Sequence, residues 1–383
     1  MPILCYNATI MENLTWLEIS KKALKNNVCE LKRLIGDNSK LGVIVKANAY
    51  GHGLQETSKI FADAGADWFC VNSFEELEVI RNSGILLPVL IIGFVPQWLI
   101  KKALELKAIF FASDLDFCRQ ISKEITGNGS AKIFIKIDTG MSRQGIHPDE
   151  LDYFLKEMPA NIEIVGMATH FASADGEIQN GHFRKQFESF KKISDKAETI
   201  LEKKLILTCA NSAATMIYPQ TRMNLIRSGL ASYGYYPNEE YKKLLAEKIK
   251  LIPALSFKTI IMAVKKIPKD SYVGYGCTYK TARDTKIAIL PVGYYDGLDR
   301  KLSNCGEILV NGKRAKIIGR ICMNQTIVDI TDNYNAKIGD EAVILGKQGD
   351  EELSPWQTAQ IVGTNCYEII SRIRENIPKI YIE

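Results

Sequence analysis

Eight short apolar runs recur along the first 230 residues, and each is followed by a polar turn and a stretch of helical period. They are LGVIVKAN (41–48), WFCVN (68–72), VLIIGF (89–94) and AIFFAS (108–113), then KIFIKID (132–138), IVGMATH (164–170), LILTCAN (205–211) and NLIRSG (224–229). A strand buried on both faces reads as a near-continuous Val/Ile/Leu run, because helices cover both sides of its sheet. Helical segments stand between the runs, as in SFEELEVIRNSG (73–84) and HFRKQFESFKKISDKAETILEKK (182–204). Ser73, followed three residues later by Glu76, supplies a helix start. Eight strands alternating with helices predict a (β/α)8 barrel of the TIM type. The competing doubly wound sheet lacks the G-x-G-x-x-G expected after its first strand.

The rhythm changes near residue 250, where short β-rich runs follow one another without helices between them. Asn311-Gly312, between EILV and KRAKII, is a two-residue hairpin signal. The stretch SPWQTAQIVGTNCYEIISRIR (354–374) reads as one or two helices, with Ser354 as cap and Pro355 at the first helical position. The expected class is α/β, in three parts: an N-terminal extension (1–13) packed with the β domain, the barrel (14–249), and a mostly-β domain with terminal helices (250–383).

Composition removes several classes of function. The formal net charge of +5 is spread along the 383 residues, so no nucleic-acid patch is expected. LLPVLIIGFV (86–95) is too short to span a bilayer, and the opening residues lack the basic start and apolar core of a secretory signal. Nine cysteines without CxxC spacing suit a reducing compartment, and the expected location is cytoplasmic. The four histidines show no ligand spacing, so no metal is expected.

In a barrel of this kind chemistry gathers at the C-terminal ends of the strands. Lys46 ends the first run, with Tyr50 just beyond. Lys136 and Asp138 end the fifth and Arg143 follows; His170 ends the sixth. Asn211 and Ser212 follow the seventh, and Arg227, Ser228 and Gly229 the eighth. Each has an ordinary reading: a snorkelling lysine, a satisfied polar histidine, a helix cap, a structural ion pair. One eight-stranded register, however, sends all of them to a single rim. Burial lowers the pKa of a lysine and frees its amine. Small residues after strands seven and eight suit a phosphate, and amine, arginine and phosphate site together suggest pyridoxal 5′-phosphate. Lys46 would take its aldehyde as a Schiff base and Arg227 would meet its ring nitrogen. In the second domain, YVGYGCTY (272–279) flanks Tyr275 with glycines, either a plain aromatic hairpin or a turn that presents the ring.

VIVKANAYGHG, KIDTGMSRQG, ATHFASAD, CANSAAT, RSGLASYG, VGYGCTY, PVGYYDG, GRICMNQ and GTNCYE stand in this order along the chain. Together they resemble the successive signatures of the alanine racemases. The resemblance implies the barrel with pyridoxal phosphate on Lys46, and a homodimer whose subunits share active sites. Tyr275 matches the tyrosine that one subunit sends into its partner's site. His170 would support Tyr275, and Arg227 would contact both His170 and the pyridine nitrogen. Tyr50, Ser212, Gly229 and Leu230 match phosphate-binding positions. Arg143 and the N–H of the partner subunit's Met323 match the holders of the substrate carboxylate, and Lys136 a lysine that is often carbamylated. Asp175, Arg300 and Arg320 match residues of the entryway. Asn324 stands where the family usually has Asp, and Arg372 where several members place a tyrosine.

The implied activity is racemisation of alanine, supplying D-alanine for peptidoglycan. Removing a proton from one face and returning it on the other calls for two acid/base groups: Lys46 on the D face and Tyr275 on the L face. A phenol is a weak base at neutral pH, so that role needs cations beside it. One alternative is a racemase of broader or different specificity, for serine or lysine. A second is a pyridoxal phosphate barrel without turnover, against which the second domain argues. A third, a decarboxylase of similar architecture, would need a glycine-run phosphate loop and a Cys-Asp pair, and neither is present.

Overall fold

The protein is described by a computed structural model covering residues 13–174, 181–333 and 335–383. It divides into two compact units. One takes the residues up to Lys22, Tyr50–His52 and Pro253–Glu383; the other takes Ala23–Ala49 and Gly53–Ile252.

Strand β1 (Thr15–Ser20) comes first in the chain. Eight strands of the second unit follow: β2 (Lys40–Ile44), β3 (Trp68–Val71), β4 (Val89–Ile91), β5 (Ala108–Ala112), β6 (Ala131–Lys136), β7 (Ile162–Ala168), β8 (Ile206–Thr208) and β9 (Leu225–Ser228). All eight expected runs are strands. They pair in parallel in the order β8-β7-β6-β5-β4-β3-β2-β9. The Arg227 N–H donates to the Ala210 carbonyl at 2.9 Å across the remaining seam, so the sheet is nearly closed into a barrel. The apolar runs are buried on both faces, as their continuity requires: Phe69–Val71, Val89–Ile91 and Ile133–Ile135 have no exposed surface. Several helices begin at side-chain caps. Ser73 Oγ accepts the Glu76 N–H at 3.5 Å, and the Asp114 carboxylate accepts the Phe117 N–H at 2.7 Å.

Gly166 in β7 is needed for packing. A Cβ there would stand 2.3 Å from Cε1 of Phe134 and 2.4 Å from the Ile206 carbonyl oxygen, well inside contact distance. The Phe134 ring lies over this bare position, where β6 and β7 slip register between Ile133 and Phe134.

The other unit is built largely of strands. Strand β10 (Leu255–Ile260) pairs antiparallel with β1, Thr15 opposite Thr259 and Ile19 opposite Leu255. On its other side β1 runs parallel to Lys379–Ile382. Residues 14–22, expected in the barrel segment, therefore group with this unit, and Thr15–Ser20 pair in its sheet, with Trp16, Leu17 and Ile19 buried and Thr15, Glu18 and Ser20 half-buried. Asn311 and Gly312, with φ of 49° and 72°, turn Glu307–Val310 into Lys313–Lys316, as a type I′ hairpin demands. The C-terminal segment forms two helices, Pro355–Val362 and Cys366–Ser371, and the first carries a full capping box between Ser354 and Gln357. Tyr272–Val273 and Tyr279–Lys280 pair as a small hairpin, and Val273 at its base packs with Ile287 and Ile318.

Gly166→Ala is expected to destabilise the barrel by about 1–3 kcal/mol through overpacking. The readout is a lower urea midpoint; an unchanged midpoint would show that Phe134 moves aside at no cost.

Candidate active site

Lys46 follows β2 directly and is half-buried. Its pKa is lowered, first by desolvation and then by the charge of Arg143, while Glu76 acts in the opposite direction. The backbone beyond it is unusual. Ala47, Asn48, Ala49 and Tyr50 have φ of 53°, 52°, 53° and 53°, a left-handed run with no glycine in it. Such a turn costs L-residues roughly 1–2 kcal/mol each, so its surroundings must hold it. The Glu76 carboxylate accepts the Ala47 N–H at 2.7 Å, and Asn48 Oδ1 accepts the Leu54 N–H at 2.7 Å.

Lys136, the last residue of β6, is buried, and its pKa falls to about 7. Desolvation is the main cause; Arg227 and Arg143 lower it further and Asp138 opposes them. Asp138 builds the next loop: one carboxylate oxygen accepts the N–H groups of Gly140, Met141 and Ser142 at 2.9, 2.9 and 3.1 Å, and Arg143 follows them.

Arg227, on β9, is buried and spans three partners. It donates to Thr208 Oγ1 at 2.6 Å, the Thr169 carbonyl at 2.7 Å and His170 Nδ1 at 3.2 Å. A guanidinium has no acceptor, so this contact makes Nδ1 the lone-pair nitrogen and leaves the ring proton on Nε2. Burial, followed by the charges of Arg227, Lys136, Arg143 and Lys46, pushes the His170 pKa down to about 2, and the imidazole is neutral. The loop bearing it is tied by Gln186, whose side chain donates to the His170 carbonyl at 3.2 Å and accepts the Ala172 N–H at 2.9 Å.

Ser212, Gly229 and Leu230 adjoin one another at the ends of β8 and β9. Asn211 caps the helix Ser212–Ile217 by accepting the Ala214 N–H at 2.9 Å. Ser212 Oγ accepts the N–H groups of Gly229 and Ala231 at 2.9 and 3.2 Å, which leaves its own proton to donate elsewhere. This donor set fits pyridoxal 5′-phosphate: a hydroxyl proton beside small residues for an anion, an amine of depressed pKa for an aldehyde, and a guanidinium that can only donate for a ring nitrogen.

The remaining expected residues lie in the β-rich unit. Tyr275 opens the 3-10 turn Tyr275–Cys277 and is 70% exposed. Gly274 and Gly276 hold φ of 71° and 73° there, and a Cβ on Gly276 would stand 3.0 Å from the Arg320 guanidinium. Met323 is exposed on a loop against Gly293, where a Cβ would lie 2.2 Å from the Cys322 carbonyl oxygen. Arg300 is exposed on the turn Arg300–Leu302. The Tyr50 ring lies 6.1 Å from that of Tyr367. Asp175 and residues 1–12 lie outside the described residues. The sequence reading missed Glu76 and Gln186 as parts of the site; Glu76 carried the signal of a helix cap alone.

Comparison with known proteins identifies the family and the fold. Residues 19–237 match the model of the alanine racemase N-terminal domain, and residues 254–381 that of the C-terminal domain. The alanine racemase of Methanococcus maripaludis is 38% identical over 372 residues, covering 96% of this chain and 98% of its own. That of Leptospira interrogans is 37% identical over 376 residues, 96% of each chain. The crystal structure of the Bacillus anthracis alanine racemase with bound L-Ala-P superposes with a TM-score of 0.90 at 34% identity, covering 97% of this chain and 95% of that one. The Streptomyces lavendulae alanine racemase gives a TM-score of 0.90 at 31% identity, with 97% of each chain covered.

Lys136 titrates at about 7 in the fold against an ordinary 10.5. Between those values the unfolded chain binds a proton that the folded chain does not, so the buried amine costs stability at neutral pH, on the order of 3–5 kcal/mol. Lys136→Met is therefore expected to raise the thermal midpoint in carbon dioxide-free buffer at neutral pH. That gain should shrink as the pH climbs; a gain that grows with pH would contradict the burial argument.

Proposed function

The chain belongs to the alanine racemase family, and from that premise we propose that it interconverts L- and D-alanine with pyridoxal 5′-phosphate as cofactor. The observation that carries this reading is the placement of Lys46, Lys136, His170 and Arg227 at the C-terminal ends of neighbouring parallel strands, with Arg227 donating to His170 Nδ1 at 3.2 Å. Such a mouth attracts anions and lowers the basicity of its amines, which suits a phosphorylated cofactor and an amino-acid carboxylate.

When bound, the cofactor supplies an electron sink that acidifies the substrate α-hydrogen. Lys46 Nζ, its pKa lowered by desolvation and Arg143, would hold the cofactor and would take or return a proton on the D face. Ser212, Gly229 and Leu230 would hold the phosphate, and the family resemblance assigns Tyr50 to the same task. Arg227, fixed by Thr208, Thr169 and His170, has only donors to offer, so it would meet the ring nitrogen as a donor and would favour its unprotonated form. Arg143 and the N–H of the partner subunit's Met323 would receive the substrate carboxylate. The neutral Lys136 amine can add carbon dioxide, forming a carbamate and releasing a proton; the resulting anion would pair with Arg143. Arg300 and Arg320 would serve as entryway residues, the role that the family resemblance implies for them.

The L face is served by the phenol of the partner subunit's Tyr275 in a homodimer with shared sites. Its exposed place at the tip of a glycine-flanked turn supports this reading. The D-alanine product suits peptidoglycan synthesis in the cytoplasm. No helix among the described residues is long and apolar enough to cross a membrane.

Tyr275→Phe is expected to lower L-to-D turnover by about 10²-fold or more while the cofactor absorbance persists. Chiral chromatography of product from deuterium oxide reads both directions, and unchanged turnover would remove Tyr275 from the mechanism. The same assay across the L-amino acids tests the narrower reading: alanine turned over no faster than serine or lysine would replace it with a broad-specificity racemase.

A further inference from the structure

We propose that Glu76 is a positioning residue for Lys46, its carboxylate gripping the backbone at the start of the left-handed turn and so aiming the amine. The inference rests on the reading that Lys46 carries the reactive amine. Glu76 sits in the first turn of the helix Phe74–Asn82, on the loop that follows β3. In a capping box its side chain would fold back onto the Ser73 N–H. It does not. Oε1 accepts the Ala47 N–H at 2.7 Å and Oε2 accepts the Asn72 N–H at 2.6 Å. One carboxylate therefore ties the exit of β2 to the exit of β3.

The turn needs such a clasp. Ala47, Asn48 and Ala49 hold φ of 53°, 52° and 53°, a conformation that alanine does not favour. Its downstream end is fastened by the Gly53 and Leu54 N–H groups on Asn48, at 2.9 Å to the carbonyl and 2.7 Å to Oδ1. Glu76 fastens the upstream end, one residue from Lys46. Both of its oxygens are engaged at once, which a carboxylate allows and an amide does not: glutamine has one acceptor oxygen and would turn an NH2 group toward the other N–H. The charged groups acting on the Lys46 amine are Arg143 and Glu76 itself, and the neutral His170 shares the same mouth. Glu76 thus also tempers the cationic field of Arg143, so removing its charge lowers the basicity of the amine.

The test uses the full chain freed of cofactor, as wild type, Glu76→Gln and Glu76→Asp, with Glu75→Gln as a control on the same exposed helix turn. Each is mixed with pyridoxal 5′-phosphate over a pH series, reduced with borohydride and digested, and the rate of labelling at Lys46 is followed by mass spectrometry. In Glu76→Gln the pH midpoint of labelling is expected to fall, and the limiting rate above that midpoint to fall about tenfold with the loss of a charge-assisted hydrogen bond. Glu76→Asp keeps the charge and should retain the midpoint while losing rate; Glu75→Gln should match wild type. Midpoint and limiting rate unchanged in Glu76→Gln would overturn the proposal. If Glu76→Gln does not fold, the Glu76→Asp rate decides, and a wild-type rate there overturns it. Wild-type label at a lysine other than Lys46 would instead defeat the functional reading on which the proposal rests.

Discussion

The unequal distribution of charge at the end of the barrel governs the rest of the site. Lys46, Lys136, Arg143 and Arg227 all act on His170, and desolvation of Lys46 and Lys136 lowers the pKa of both amines. Burial and neighbouring positive charge make a protonated amine more acidic. Lys46 and Lys136 are both shifted in that direction, whereas a guanidinium keeps its proton. The guanidinium therefore stays charged and makes His170 a pure acceptor at Nδ1, while the lysines become candidate nucleophiles. The arrangement is costly for a free-standing fold and suited to receiving anions, which is the usual bargain at an active site.

The barrel was legible because parallel strands covered on both faces leave an unbroken apolar trace, and every one of the eight runs stands where that trace places it. The strand-end residues were legible for the same reason: register alone delivers Lys46, Lys136, His170 and Arg227 to one rim. Asn311-Gly312 and the Ser354 cap were readable since their chemistry is local, settled within four residues.

What the sequence hid depends on distant partners or on backbone forced against preference. TWLEIS gives no local sign of its sheet, because its neighbours are 240 residues and more away, Thr259 beside Thr15 and Lys379 beside Leu17. The left-handed turn after Lys46 could not be read from Ala-Asn-Ala, which says nothing of positive φ; only the contacts that restrain it reveal it. Glu76 followed Ser73 at capping distance, and a cap was the reading that spacing allowed. Its carboxylate goes instead to an N–H group 29 positions earlier in the chain. Gln186 gave no signal either, since a glutamine inside a long polar helix looks like solvent-facing surface until its burial is known.

The parallel seam between β1 and Lys379–Ile382 sets an order of events during synthesis. Apart from the β2–β9 pair, barrel strands find their neighbours within a few dozen residues and can assemble while later segments are still being made. β1, translated before any of them, has one flank that waits for Lys379–Ile382. Until that segment arrives, the early edge stays unpaired, and edges of this sort recruit other chains. Closure of this seam, rather than the making of the barrel, is then the moment at which a newborn molecule hides that edge from wrong partners.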